Sequence, residues 1–160
     1  MGKKGREIVK AKIKDVIADL EKAYADEWLA HYQYWLTAHW IKGIDADTLR
    51  NVLLEQSEDE LKHAGKLAAR IIQLGGTPIM NPSKLIASSG CGYTEPPKDP
   101  TNLKQVVKDV LEAEACAIEA YNRLALKYRT TDLVTHDLFE DLLNDEVGDE
   151  EEWENFQAKL

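Results

Sequence analysis

Five carboxylates and one imidazole recur at spacings that place them on one side of their helices. They are Glu27; Glu60 with His63 three residues on; Glu114; and Glu146 with Asp149 three residues on. A three-residue step is close to one helical turn, so Glu60 and His63 share a face, as do Glu146 and Asp149. Each glutamate also interrupts an apolar series with seven-residue spacing, which keeps to one helix face with a slow drift. The series are Ile13, Leu20, Glu27, Tyr34, Ile41; Leu53, Glu60, Leu67, Leu74; Val107, Glu114, Tyr121, Tyr128; and Phe139, Glu146, Trp153, Leu160, the last interleaved with Leu142, Asp149 and Phe156. In a chain with 29 acidic residues, one such glutamate alone is most simply a solvated side chain, and several together an ion-pair network. Four series, each interrupted once and with no lysine or arginine at the same seam positions, are another matter. Unpaired carboxylates in a dry interior would protonate or unfold it. Bound cations are the economical solution.

Mostly oxygen ligands with one imidazole suit iron or manganese better than zinc in a thiolate site. In four-helix bundles, the carboxylate di-iron pattern takes one glutamate from each of two helices and a Glu-x-x-His from each of the other two. Glu27 and Glu114 fill the single roles, and Glu60 with His63 one Glu-x-x-His. The fourth helix offers Glu146 and, where histidine is expected, Asp149; Glu150 competes with Asp149 if the helix phase is off by one residue. Five carboxylates against two ferrous ions leave an excess negative charge, which favours the ferric state. Oxidation of Fe(II) is the expected chemistry.

These residues need four helices to hold them. All five prolines lie between Pro78 and Pro100, with Gly75, Gly76, Gly90 and Gly92 in the same region. On either side the chain is proline-free and helix-forming. The expected helices run from about Arg6 to Lys42; from a cap at Asp47 or nearby to the stop at Leu74-Gly75-Gly76; from beyond Asp99-Pro100-Thr101 to near Arg129; and from Thr131 or Asp132 to the C-terminus. Short turns make each pair an antiparallel hairpin. The crossover, about residues 75–101, reaches some 80 Å when extended, enough to cross a bundle of helices about 45 Å long. The expected fold is all-α: one domain over residues 1–160, a four-helix bundle with one long crossover between the second and third helices.

Bulk properties agree. Hydrophobic content is 44% and charged content 31%, which fits a globular domain and argues against disorder. No apolar run approaches the roughly 20 residues of a membrane span. The basic N-terminus lacks the apolar stretch of a secretory signal, so the expected compartment is cytoplasmic, with Cys91 and Cys116 reduced. A net charge of −9 disfavours a nucleic-acid-binding surface and suits cation traffic. The basic cluster Lys3, Lys4, Arg6, Lys10, Lys12 and Lys14 is short and belongs to an acidic molecule, so DNA is not an expected partner. His31 reads as a hydrogen-bonded core histidine, His39 as a helix-end or interface residue and His136 as a surface one. Trp28, Trp35 and Trp40 read as packing residues.

With these residues in place, the sequence resembles the ferritin-like superfamily over nearly its whole length. More narrowly it resembles Dps-like proteins with a bacterioferritin-type di-iron centre, the thioferritins. "DEWLAHYQY" is similar to the first-helix signature, which implies Glu27 as a metal ligand and Tyr34 as a tyrosine beside the centre. "DELKHA" is similar to the second-helix motif. In bacterioferritins a haem-ligating methionine follows that glutamate; here it is Leu61, so haem is not expected. "HWIKG" and "LAARIIQLGGTP" resemble Dps helix ends. The intersubunit Dps centre would need an acid at Ala69 and a histidine at Asn51, so the resemblance implies the intra-bundle centre instead.

On spacing alone Cys91 and Cys116 are two small thiols. The resemblance implies a redox pair beside the centre, able to supply electrons and, if joined, tying the crossover to the third helix. It also implies a hollow homo-oligomeric shell, twelve subunits first and twenty-four as the alternative; the little chain beyond Glu146 leaves no room for the short fifth helix of 24-subunit ferritins. The implied function is a ferroxidase that oxidises and stores iron with hydrogen peroxide or oxygen and protects against oxidative stress. Its metal is iron, with manganese or zinc as substitutes. The enzymatic alternative is a rubrerythrin-like di-iron peroxidase without a storage cavity. The non-enzymatic one is a bundle whose inner carboxylates are structural.

Overall fold

Apolar stripes at heptad spacing need facing partners, and four long helices supply them. A computed structural model describes residues 2–158. Helix α1 spans Lys3–Glu7, α2 Ile13–Trp40, α3 Ala46–Leu74, α4 Leu85–Ser88, α5 Leu103–Tyr128 and α6 Leu133–Gln157; a 3-10 turn, Pro82–Lys84, leads into α4. Helix α2 lies along α3 and α5 along α6, as two hairpins, and the segment between α3 and α5 crosses the bundle. The all-α architecture with its single long crossover is the one expected. Among the described residues, no helix is long and apolar enough to cross a membrane. The last seam position, Leu160, lies outside the described residues.

The element boundaries differ in two places. The first expected helix is two helices, because the chain leaves helical geometry after Glu7. There Lys10 N–H donates to Thr131 C=O at 2.7 Å, and Val9 and Ala11 pack onto the core. Two partly buried apolar side chains and a paired backbone donor outweigh one more turn of solvated helix. At the start of α3, Asp47 lies inside the first turn instead of capping it. It ion-pairs with Arg50, and its charge suits a helix N-terminus. The stop after Leu74 is as expected: Gly75 has φ 90°, a conformation that L residues rarely adopt. Asn102 caps α5 by accepting from Gln105 N–H at 3.2 Å. Asp132 caps α6 by accepting from Thr135 N–H at 3.2 Å.

The core is divided in two. One apolar cluster gathers Leu20, Leu67, Ile71, Tyr121, Tyr128 and Phe139 among its members. The other gathers Tyr34, Ile41, Leu53, Val107, Val110 and Trp153. On every long helix the seam glutamate falls between the residues given to the first cluster and those given to the second. The metal-ligating types therefore sit at one level of the bundle, with an apolar plug at each end.

A buried ion pair ties the two hairpins together at one end. Arg70 Nη2 donates to both oxygens of Asp132, at 2.8 and 2.9 Å, and Arg70 Nε to Thr135 Oγ1 at 2.9 Å. Asp132 thus serves at once as helix cap and as counter-ion. Truncating Arg70 leaves a buried charge unpaired. We expect Arg70→Ala to lower unfolding stability of the metal-free protein by about 3–5 kcal/mol, read from denaturant titrations at matched assembly state. A loss below about 1 kcal/mol would show the pair to be solvated.

Candidate metal centre

Ligand atoms of Glu27, Glu60, His63 and Glu146 lie within 4.8 Å of one another, and so do those of Glu114, Glu146 and Asp149. Glu146 belongs to both groups. Its helix phase, set by Phe139, Leu142 and Trp153, turns Glu146 inward and brings Asp149 to the same face. Glu150 joins neither group, and Glu151 and Glu152 are exposed. The four glutamates and His63 are at most 3% exposed; Asp149 is half-buried. His63 Nδ1 faces the interior, 3.2 Å from Glu60, 3.3 Å from Glu146 and 3.6 Å from Glu27. His63 Nε2 faces outward, 3.2 Å from Asp145 Oδ2. That arrangement orients the ring, with one nitrogen for the centre and a carboxylate fixing the other.

Electrostatics make the cluster costly without a cation. Burial pushes Glu27, Glu60, Glu114 and Glu146 toward their protonated forms. Repulsion adds to it, from Glu146 at Glu27 and Glu114, from Glu27 at Glu60, and from Glu60 at Glu146. Burial alone would favour neutral His63, but Glu146, Glu27 and Glu60 outweigh it and hold the ring protonated well above its usual range. Asp149 is pushed up to about 7 by burial and by Glu146 and Glu60. Glu146 Oε1 is buried and completes no hydrogen bond of ordinary geometry, although His63 Nδ1 is near. Glu146 is the residue common to both acidic groups, and a buried acceptor without a donor is one that a cation would satisfy. The donor set suits iron or manganese.

Tyr34 O–H donates to Glu114 Oε1 at 2.6 Å, so Tyr34 stands one hydrogen bond from the acidic group. The crossover covers the same side. Asp26, next to Glu27, accepts from Gly90 N–H at 2.7 Å, Cys91 N–H at 2.9 Å and Ser89 Oγ. Cys91 is disulfide-bonded to Cys116, with Cα atoms 5.8 Å apart. The expectation of reduced thiols is therefore corrected: the clamped loop brings two cysteines 25 positions apart into bonding range. A cavity of about 180 Å³ opens here, lined by Glu27, Tyr34, Glu60, Cys91, Glu114 and Glu146 among others. A second, of about 270 Å³, reaches the opposite side of the centre, lined by Asp59, Lys62, His63, Lys66, Asp145 and Asp149.

The other histidines fall outside the centre. His31 Nδ1 is bonded to the Ser57 carbonyl at 2.7 Å, hydrogen-bonded as read but only half-buried. His39 is at the exposed end of α2. His136, read as a surface residue, has a side chain only 12% exposed, because its Nδ1 reaches the Ala125 carbonyl at 2.9 Å. Sequence reasoning missed Asp145, Asp26, Gln56 and the Arg70–Asp132 pair. Asp145 and Asp26 each carried a signal, as the residue before a seam glutamate.

The ferritin-like domain profile matches residues 17–160. The chain belongs to the ferritin-like family. Among solved structures it is similar to a dodecameric thioferritin, the bacterioferritin-related protein of Bacteroides fragilis. The two are 29% identical, with a TM-score of 0.93 over 99% of this chain and 94% of that one. It shares its fold with Dps from Thermosynechococcus elongatus, at 17% identity and a TM-score of 0.83 over 89% of this chain and 90% of the other. It is also similar to the DNA protection during starvation protein of Pyrococcus furiosus, 26% identical over 131 residues, 82% of this chain and 70% of that protein. In this ferritin-like frame, the buried Glu27, Glu60, His63 and Glu146 are consistent with a di-metal site.

These shifts predict how the metal-free protein responds to pH. Each acid has a folded-state pKa raised above its unfolded value, and so has His63. The folded state therefore binds more protons, and their stabilising contribution is lost as pH rises through the raised values. For Asp149 that window runs from its ordinary 3.8 to about 7. Metal-free protein should melt at a higher temperature at pH 6 than at pH 8, and Glu60→Gln should flatten the slope. Scanning calorimetry after chelation checks this; a melting temperature that climbs from pH 6 to 8 would contradict it.

Proposed function

We propose that the protein is a ferroxidase that oxidises and stores iron, using hydrogen peroxide or oxygen, and so protects against oxidative damage. The observation that carries the reading is a histidine and four glutamates buried together between two apolar cores. Glu27, Glu60 and His63 hold one Fe(II), Glu114 and Asp149 the other, and Glu146 reaches both. Bound iron supplies the electrons: two Fe(II) become Fe(III) as one peroxide and two protons become two waters, a two-electron path that releases no hydroxyl radical. Protection of this kind needs no contact with DNA.

The chain's own groups serve that reaction. Carboxylates that lose protons when cations bind favour the higher charge of Fe(III). Where only one Fe(II) is bound, Tyr34 can give the second electron that the peroxide needs, while its hydroxyl proton passes along the bond to Glu114. Reduced Cys91 and Cys116 can deliver two electrons and two protons to a further peroxide, which becomes two waters as the disulfide forms. Exposed Tyr32, Trp35, Trp40, Ile44, Met80 and Ile86 provide apolar surface for subunit contacts. The similarity to a dodecameric thioferritin supports a shell of twelve subunits with the ferric product inside.

An anaerobic Fe(II) titration of the assembled protein should saturate at about two ions per chain, and about two Fe(II) should be consumed per peroxide. Glu60→Ala should abolish rapid oxidation. A one-to-one ratio with radical release would sink the mechanism. A dimer by native mass measurement would instead favour the peroxidase without a cavity.

A further inference from the structure

The two halves of the centre differ in chemistry, and the difference has a structural cause. One group carries an imidazole; the other, Glu114, Glu146 and Asp149, is oxygen only. Gln56 of α3 stands one turn before Glu60 on the same helix face and is only 3% exposed. Gln56 Oε1 accepts from Trp153 Nε1. An indole N–H can only donate, so this bond fixes the amide, with its oxygen toward Trp153 and its NH2 away. Gln56 Nε2 is buried and completes no hydrogen bond of ordinary geometry. Asp149 lies one turn before Trp153 on the same face of α6, so the amide held by Trp153 stands at its level, and Gln56 favours the ionised form of that carboxylate. A buried donor without a partner is costly, and a carboxylate held charged by a cation would satisfy it. A histidine at position 149 would meet the same group badly. A metal-bound imidazole turns its other N–H outward and needs an acceptor there, whereas Gln56 presents a donor.

Resting on the di-metal reading above, we propose that Trp153 and Gln56 form a positioning device for Asp149. It makes that side of the centre an oxygen-only cation position, where zinc(II) keeps less of its advantage over manganese(II) than at the position served by His63. Carboxylate oxygens suit manganese, whereas imidazole suits zinc and iron. Gln56 acts through Asp149 and touches no metal itself.

The test is metal binding by the assembled, chelator-treated protein without oxidant, by calorimetry and by the electron paramagnetic resonance of manganese(II). Wild-type protein should bind two ions per chain in unequal steps, with zinc displacing manganese less effectively at one of them. Gln56→Met, which keeps length and removes the donor, should weaken that step alone by about tenfold or more. Trp153→Phe should weaken the same step less, because the amide is then free to turn; it carries the test if Gln56→Met does not fold. Asp149→His should restore zinc's advantage at that step, and Gln56→Glu in that background should tighten it by supplying the acceptor the new imidazole needs. A Gln56→Met effect on both steps together, or on neither, overturns the proposal while leaving the di-metal reading intact. If wild-type protein binds no ions, or binds them unchanged in Glu60→Ala, the di-metal reading falls and takes this inference with it.

Discussion

Four buried glutamates at one level of a helix bundle repel one another, and the rest of the structure accommodates that repulsion. Burial of each charged carboxylate costs several kcal/mol, a large share of the stability of an ordinary domain. The apolar clusters on either side must offset it, at roughly 1.5–3 kcal/mol for each large side chain fully buried. The division of the core therefore follows from the site. A single continuous core would be more stable and could not hold a cation. His63, kept protonated by Glu146, Glu27 and Glu60, supplies some of the missing positive charge in the metal-free state.

The ligands also come from two hairpins, so the centre depends on what holds the hairpins together. The ties are polar and span long stretches of sequence. Tyr34 bonds Glu114 between α2 and α5, and Trp153 bonds Gln56 between α6 and α3. Arg70 pairs with Asp132, and both Lys127 and Tyr128 reach Asp19. The crossover adds the Asp26 clamp and the Cys91–Cys116 bond on the α2–α5 side. Each tie demands one relative placement of two helices, which greasy seams alone do not specify.

This explains what was legible in the sequence. Heptad spacing reports which face a residue occupies, so Glu27, Glu60, Glu114 and Glu146 could be placed inward from their neighbours alone, and His63 from a three-residue step. The phase of α6 favoured Asp149 and left Glu150 as a competitor. Nothing local pairs Arg70 with a residue 62 positions away, or tells a buried Gln56 from an exposed one. The break at residues 8–12 was hidden for the same reason: its cause, Thr131, lies in another hairpin. The disulfide needed the loop clamp at Asp26, which spacing does not report.

Tyr34 shows how such a tie shapes chemistry. Burial and the nearby charges of Glu114 and Glu60 push its hydroxyl well above its ordinary range, so it remains a neutral phenol and a proton donor. It occupies Oε1 of Glu114, leaving the other oxygen as the one free for a cation. In the proposed reaction the same bond sets the direction of proton flow. An electron taken from Tyr34 makes its hydroxyl strongly acidic, and the acceptor it already meets is Glu114, whose affinity for protons burial has raised. A phenylalanine there would keep the packing and lose both constraints: Glu114 would be free to use either oxygen, and the proton would have no fixed path. The tyrosine that aligns two helices is thus also the group that would bias which oxygen of Glu114 a bound cation meets.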